Sequence, residues 1–183
     1  GEPYIYRVAE KWSRQVLDLG FRASHPLPDS QTHETGAIVR SVPDGRVTSG
    51  YRVESADLRA RIYAYRATVS RIIDGDTLWA TVDLGFNHWT DVKLRLRGID
   101  APEVGTAGGK RATDYLTQAL SEANAFVVTT TKVDLYDRYL ADLFVLPDQT
   151  DLAAVASKGR YINRAMINDG VARLWTDTKP PEF

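Results

Sequence analysis

Residues 66–103 read RATVSRIIDGDTLWATVDLGFNHWTDVKLRLRGIDAPE, and their alternation decides the fold. Arg66–Ile73 reads as a strand and Asp74-Gly75-Asp76 as a turn. Thr77–Leu84 reads as a second strand, with Leu78, Ala80, Val82 and Leu84 on one face. Gly85-Phe86-Asn87 supplies the next turn. Asp91–Ile99 alternates most cleanly: Val92, Leu94 and Leu96 face one way, Lys93, Arg95 and Arg97 the other. Successive strand residues point to opposite faces, so three cations line one side of this strand.

Downstream, Gly105, Gly108 and Gly109 form a loop before a helix predicted over Lys110–Ala123. Its apolar face is Ala112, Tyr115, Leu116, Ala119, Leu120 and Ala123. Phe126–Thr131 and Arg138–Leu146 read as strands and Pro147–Thr150 as a loop. Helical spacing resumes over Ile162–Ile167 and stops at Gly170. Three strands, a helix, two strands and a closing helix predict a small mixed barrel decorated by helices.

Upstream, Ile5, Val8, Trp12, Val16 and Leu19 recur at spacings of three and four, which predicts an amphipathic helix over 4–19 closed by Gly20. Residues 21–50 are polar and breaker-rich and read as an extended connector, with a hairpin signal at Pro43-Asp44-Gly45. His25 and His33 fall there and read as solvated loop residues. The chain thus divides into an N-terminal helix and connector (1–60), docked through Ile5 and Trp12, and a barrel domain (61–183).

Composition narrows the classes. Among 183 residues there is no cysteine, so a disulfide scaffold, a thiol nucleophile and a Cys-ligated metal are excluded. No stretch approaches the roughly 18 apolar residues needed to span a bilayer, so no membrane partner is expected. The chain begins Gly-Glu-Pro without Met or an apolar leader and reads as trimmed; secreted and cytoplasmic settings both fit. Residues 1–60 carry eight basic and eight acidic side chains, and the remainder fifteen and sixteen. Neither part has the basic excess of a protein that grips nucleic acid by counterion release alone, so a polyanionic partner must be recognised by a local cluster.

Four polar clusters fall at strand ends: Asp74/Asp76, Arg95, Asp100/Glu103 and Arg138. Taken singly, Asp74-Gly75-Asp76 is a solvated turn and each arginine an ion-pair partner. Pro102 biases Ala101 toward an extended conformation that leaves its carbonyl unpaired beside Asp100 and Glu103, a set of hard oxygens suited to Ca²⁺ or Mg²⁺. Carboxylates for a hard cation beside planar cations that bind phosphate are together the parts of a phosphodiester-cleaving site.

Four collinear blocks carry a resemblance: Val69–Thr77, Leu94–Glu103, Asp134–Ala141, and Ile162-Asn163 with Gly170-Val171-Ala172. Across roughly 66–175 the chain resembles the staphylococcal nuclease (thermonuclease) family. That resemblance implies an α+β, mainly β fold with a five-stranded OB-type barrel and packed helices, and Ca²⁺-dependent hydrolysis of DNA and RNA to 3′-phosphate ends. It implies Asp76, Asp100 and the backbone carbonyl of Ala101 as metal ligands. Arg95 and Arg138 match the phosphate-binding arginines, and Glu103 the residue that positions or deprotonates water. Asp74 matches an acid that tunes the metal site without ligation. Two other readings stand beside the nuclease: a catalytically weak module of the same fold that binds nucleic acid or protein, and a phosphodiesterase acting on small nucleotides.

The chain departs from the family around the substrate rather than the catalytic groups. Val104–Gly109 is short and Gly-rich where the best-known members carry a longer lysine-bearing loop. Leu135 replaces a lysine and Asp137 a glycine, while Thr176 and Thr178 stand near positions of base-holding tyrosines. Tyr136 is then the leading base- or phosphate-contacting aromatic, with sheet packing as the alternative, and Trp175 is the aromatic left to stack a base. With a formal charge of −1, substrate capture is expected to be weak and salt-sensitive. Nucleolytic activity should fall as ionic strength rises from low to moderate; a flat salt titration contradicts this.

Overall fold

A computed structural model describes the chain apart from residues 28–30, 48, 58, 122, 124, 134–137 and 176–183 and the side chains of 131–133. The N-terminal strands are β1 (Ile5–Lys11), β2 (Arg14–Gly20), β3 (Ala23–Pro26), β4 (Ile38–Pro43) and β5 (Tyr51–Ser55). There follow β6 (Ala64–Ile72), β7 (Thr77–Gly85), β8 (His88–Leu96), β9 (Ile99–Asp100), α1 (Ala107–Ser121), β10 (Phe126–Val133) and β11 (Tyr139–Val145). The chain continues through α2 (Leu152–Lys158), β12 (Arg160–Tyr161), α3 (Ile162–Asn168) and β13 (Arg173–Leu174).

The expected barrel is present. β6, β7 and β8 form an antiparallel meander, β8 pairs in parallel with β11, β11 pairs with β10, and β10 returns to β6. Closure of these five strands removes the free edges an open sheet would leave. The alternation in β8 survives intact: Val92, Leu94 and Leu96 are buried inside, and Lys93, Arg95 and Arg97 lie outside. Helix α1 covers the barrel with Ala112, Leu116, Ala119 and Leu120, and α3 adds Ile162 and Met166. The mainly β fold with three helices is that of an OB-type α+β domain.

Residues 4–19 are not a helix. They form the β1–β2 hairpin, in register Val8↔Leu17 and Lys11↔Arg14. Trp12 and Ser13 sit at its tip with φ of 50° and 60°, the primed turn that matches strand twist. Neither residue is among the Asn, Asp and Gly that favour the positive φ of such a turn, so the pair gives no hairpin signal. The helical reading counted Trp12 as part of the apolar face, yet it is 92% exposed. The period realised is two: Tyr6 and Val8 on β1, and Leu17 and Leu19 on β2, join the core shared with the barrel. The connector also folds. Strands β3, β4 and β5 complete a five-stranded sheet in the order β3-β2-β1-β4-β5, with the β4–β5 turn beginning at Asp44. His25 lies in β3, half-buried, its ring stacked on Phe86 at 4.2 Å, rather than in a solvated loop. Helix α2 was also missed; Asp151 caps it by accepting the Ala153 N–H.

Tyrosines stitch this sheet to the barrel reciprocally. Tyr6 donates to the Leu84 carbonyl at 2.9 Å and Tyr65 to the Leu19 carbonyl at 3.0 Å. Each hydroxyl lies over a glycine of positive φ, where a Cβ would come within 2.1 Å (Gly85) or 2.0 Å (Gly20). No other residue leaves room for both the turn and the hydroxyl.

Asn163 on α3 ties together the strands that carry the site. It is 1% exposed, accepts the Leu143 N–H at 3.1 Å, and donates to the carbonyls of Arg97 at 3.1 Å and Ala141 at 2.9 Å. Replacing it by leucine removes all three bonds, although the Ala141 carbonyl keeps the Arg97 N–H. Asn163→Leu should therefore lower unfolding stability by about 2–4 kcal/mol, read from urea denaturation. A loss under about 1 kcal/mol would show that these bonds are replaced elsewhere.

Candidate active site

Asp-Gly-Asp at 74–76 makes the β6–β7 turn. The Ile73 and Asp74 N–H groups bond to the Thr77 carbonyl, and Asp74 Oδ1 accepts the Asp76 N–H at 2.9 Å. Gly75 is required by close approach: a Cβ there would lie 2.5 Å from Cβ of Ala112 on α1 and 2.8 Å from Cβ of Ala101. The turn is thereby pressed against the segment that follows β9. Thr106 caps α1 by accepting the Gly109 N–H, and Gly109 lets the helix start close over the Glu103 carbonyl.

This packing brings Asp76, Arg95, Asp100 and Ala101 to one place. Asp76 is 6% exposed. Its Oδ2 accepts the Ala101 N–H at 2.7 Å and lies 2.7 Å from Arg95 Nη1, while Oδ1 accepts the Thr77 hydroxyl at 3.0 Å. Arg95 Nη2 lies 3.5 Å from Asp100 Oδ1, so one guanidinium spans both carboxylates. Nη1 is buried against Asp76, in ion-pair contact though without an aligned hydrogen bond. Burial pushes the Asp76 carboxyl up to about 6; the Ala101 N–H and Arg95 restrain the rise and Asp74 adds to it.

The remaining expected residues are placed less tightly. Glu103 is exposed, three residues beyond Asp100, and its carbonyl accepts from Thr106. Arg138 is half-buried and immediately precedes β11, whose Leu140 lies opposite Arg95 on β8. Trp175 is exposed, and its backbone N–H bonds to the Gly98 carbonyl in the turn before β9. Tyr136, Leu135, Asp137, Thr176 and Thr178 lie outside the described residues.

Two contributors escaped sequence reasoning. Thr77 follows Asp76 directly and holds its second oxygen. Arg173 on β13 lies opposite Asp100 on β9 and donates to Asp100 Oδ2 from Nε at 2.8 Å and Nη2 at 2.5 Å. No spacing signal joins residues this far apart; only the β9–β13 ladder does. A cavity of about 550 Å³ is lined by Ile73 and, at the start of α1, by Val104, Thr106 and Lys110. A larger one, about 790 Å³, lies away from them, between β4, β5 and α2.

The donor set fits a hard divalent cation. Two neighbouring carboxylates, with carbonyl or water oxygens beside them, are the hard oxygens such a cation takes, and in this structure each of their four oxygens has a protein partner. Among the described residues no cluster of three or more His, Asp or Glu side chains is arranged to hold a metal ion.

The family described as staphylococcal nuclease homologue matches residues 93–182, a span that includes Arg95, Asp100, Glu103 and Arg138 but not Asp76. The chain is 38% identical over 112 residues to micrococcal nuclease of Shigella flexneri, covering 59% of this chain and 57% of that protein. It is 36% identical over 107 residues to Protein ParB of Escherichia coli, covering 58% and 55%. The chain thus spans about half the length of the curated relatives it matches.

The raised Asp76 value makes stability depend on pH. The folded chain keeps that proton to about pH 6, while an unfolded chain releases it near 3.8. The contribution is complete below the lower value and lost as pH rises through the upper one. Cation-free wild type should therefore lose on the order of 2–3 kcal/mol relative to Asp76→Asn between pH values near 4 and 7, read by urea unfolding. Parallel stability profiles would show that the acid is ionised throughout.

Proposed function

We propose that the chain, which matches the staphylococcal nuclease homologue family over residues 93–182, is a member of that family and a Ca²⁺-dependent phosphodiesterase hydrolysing DNA or RNA to fragments with 3′-phosphate ends. The observation that carries this reading is the single guanidinium of Arg95 spanning Asp76 and Asp100. Cation-binding and phosphate-binding chemistry meet at that point.

Asp76, Asp100 and the Ala101 carbonyl would hold the cation, which when bound neutralises phosphate charge and polarises the phosphorus–oxygen bonds. The chain's own groups supply the rest. Thr77 and the Ala101 N–H fix the Asp76 carboxylate, and Asp74 fixes the turn beneath it. Arg95, beside the two acids, and Arg138, just before β11, would donate to equatorial phosphate oxygens. These hydrogen bonds strengthen as negative charge grows on the phosphate oxygens in the transition state. Glu103, exposed at the rim, holds or deprotonates the attacking water in line with the 5′ oxygen that leaves.

One observation favours the weak-module reading: Asp100 Oδ2 is already engaged by Arg173. Incubation with single-stranded DNA and with RNA, each in Ca²⁺ and in EDTA, separates the two. Ca²⁺-dependent fragments ending in 3′-phosphate are expected, and Arg138→Ala should lower kcat at least about a hundredfold with the fold retained by circular dichroism. Intact nucleic acid under every condition would leave only the binding module, and near-normal turnover in Arg138→Ala would remove that arginine from the mechanism.

A further inference from the structure

On the outer face of the barrel, one row away from Arg95, a tryptophan stands between two cations. Trp79 of β7 pairs with Arg71 of β6 on one side and Lys93 of β8 on the other. The next row toward the acids pairs Thr77 with Arg95, so Trp79 and Lys93 lie two residues along their strands from the site, about 7 Å. Trp79 is 38% exposed although its neighbours Leu78 and Ala80 are fully buried. Among the described residues, neither Arg71 nor Lys93 takes part in an ion pair, and neither side chain lies over an aromatic ring. On the far side the face turns polar: Thr81 bonds to Ser70 and to Asp91.

A packing role does not account for this row. A tryptophan that only filled a sheet surface would meet an aromatic or β-branched partner across the strand; this one meets two unpaired cations. An exposed indole on the second strand of an OB-type barrel, flanked by cations on the first and third, has the chemistry of a base-stacking platform, with the cations set to hold the phosphates on either side. A base can lie on Trp79 only when it is out of a duplex stack.

We infer that Arg71, Trp79 and Lys93 form a subsite for single-stranded nucleic acid, in which one unpaired base stacks on Trp79 next to the phosphate held at Arg95. The inference rests on the nucleic-acid reading of the site and adds the strandedness of the substrate. The row supplies locally the recognition that the near-neutral chain lacks overall.

The test is fluorescence anisotropy of a labelled oligonucleotide, single-stranded and as the matching duplex, at low salt in EDTA so that no bond is cut. Wild type should bind the single strand more tightly than the duplex. Trp79→Ala should weaken single-strand binding at least about fivefold and duplex binding less than twofold, and Trp79→Phe should restore most of the loss. Arg71→Ala with Lys93→Ala should weaken binding and flatten its salt dependence. Trp12→Ala, at the remote hairpin tip, controls for loss of any exposed tryptophan. Single-strand affinity within twofold of wild type in Trp79→Ala, equal losses on both forms, or no preference in wild type each overturns the subsite. Wild type that cleaves single strands in Ca²⁺ while Trp79→Ala keeps the same KM overturns the subsite and leaves the hydrolase standing. Trp79-dependent binding with no cleavage in Ca²⁺ does the reverse.

Discussion

Arg95 between Asp76 and Asp100 is the contact on which the organisation of this end of the barrel depends. Removing a carboxylate from water is costly, and a nearly dry Asp76 is tolerated only because a guanidinium, a backbone N–H and a hydroxyl converge on it. Each partner comes from a different place: the strand beside it, the segment beyond β9, and the next residue in its own strand. The balance still leaves the carboxyl harder to ionise than a solvated one. A group poised in this way gains from an additional positive charge, which is what the proposed cation would supply.

The surrounding fold is arranged to make that convergence precise. Gly75 and Gly109 remove the two side chains that would hold the β6–β7 turn and α1 away from the segment carrying Ala101 and Glu103. The Leu96 N–H bonds to the Asp76 carbonyl, so the turn and β8 are also joined through the backbone. Asn163 closes the other side by holding the carbonyls of Arg97 and Ala141. A positioning error of about an ångström at such a site is expensive in rate, which is a reason for so many backbone ties in one small volume.

The N-terminal sheet contributes differently. Its apolar residues join the same core as the barrel, and its Tyr6 donates to the Leu84 carbonyl at one end while Tyr65 of the barrel donates back at the other. Tyr4 and Tyr63 add bonds to Asp83 and Asp18 at the same seam. These contacts lie on the β7–β8 turn and the start of β6, away from the acids, so the sheet braces the barrel without entering the site.

Strand identity and facing in β7 and β8 could be read directly, because a strict period of two admits one arrangement: cations out and aliphatics in. The α1 face was equally legible from its spacing. The β1–β2 hairpin was not, since Trp12 and Ser13 form a turn that their residue types do not advertise, and apolar residues on two paired strands mimic a helical stripe. In the site, sequence identified Asp76, Arg95, Asp100, Glu103 and Arg138 as chemically related parts. It could not reveal that Arg95 spans both acids, that Arg173 reaches Asp100, or that Arg71, Trp79 and Lys93 share a row. Those facts depend on register, bulges and which strand lies beside which. Local chemistry and periodicity are properties of neighbouring residues and so are written in the chain; which charges meet is set by barrel closure and by the desolvation that only closure imposes.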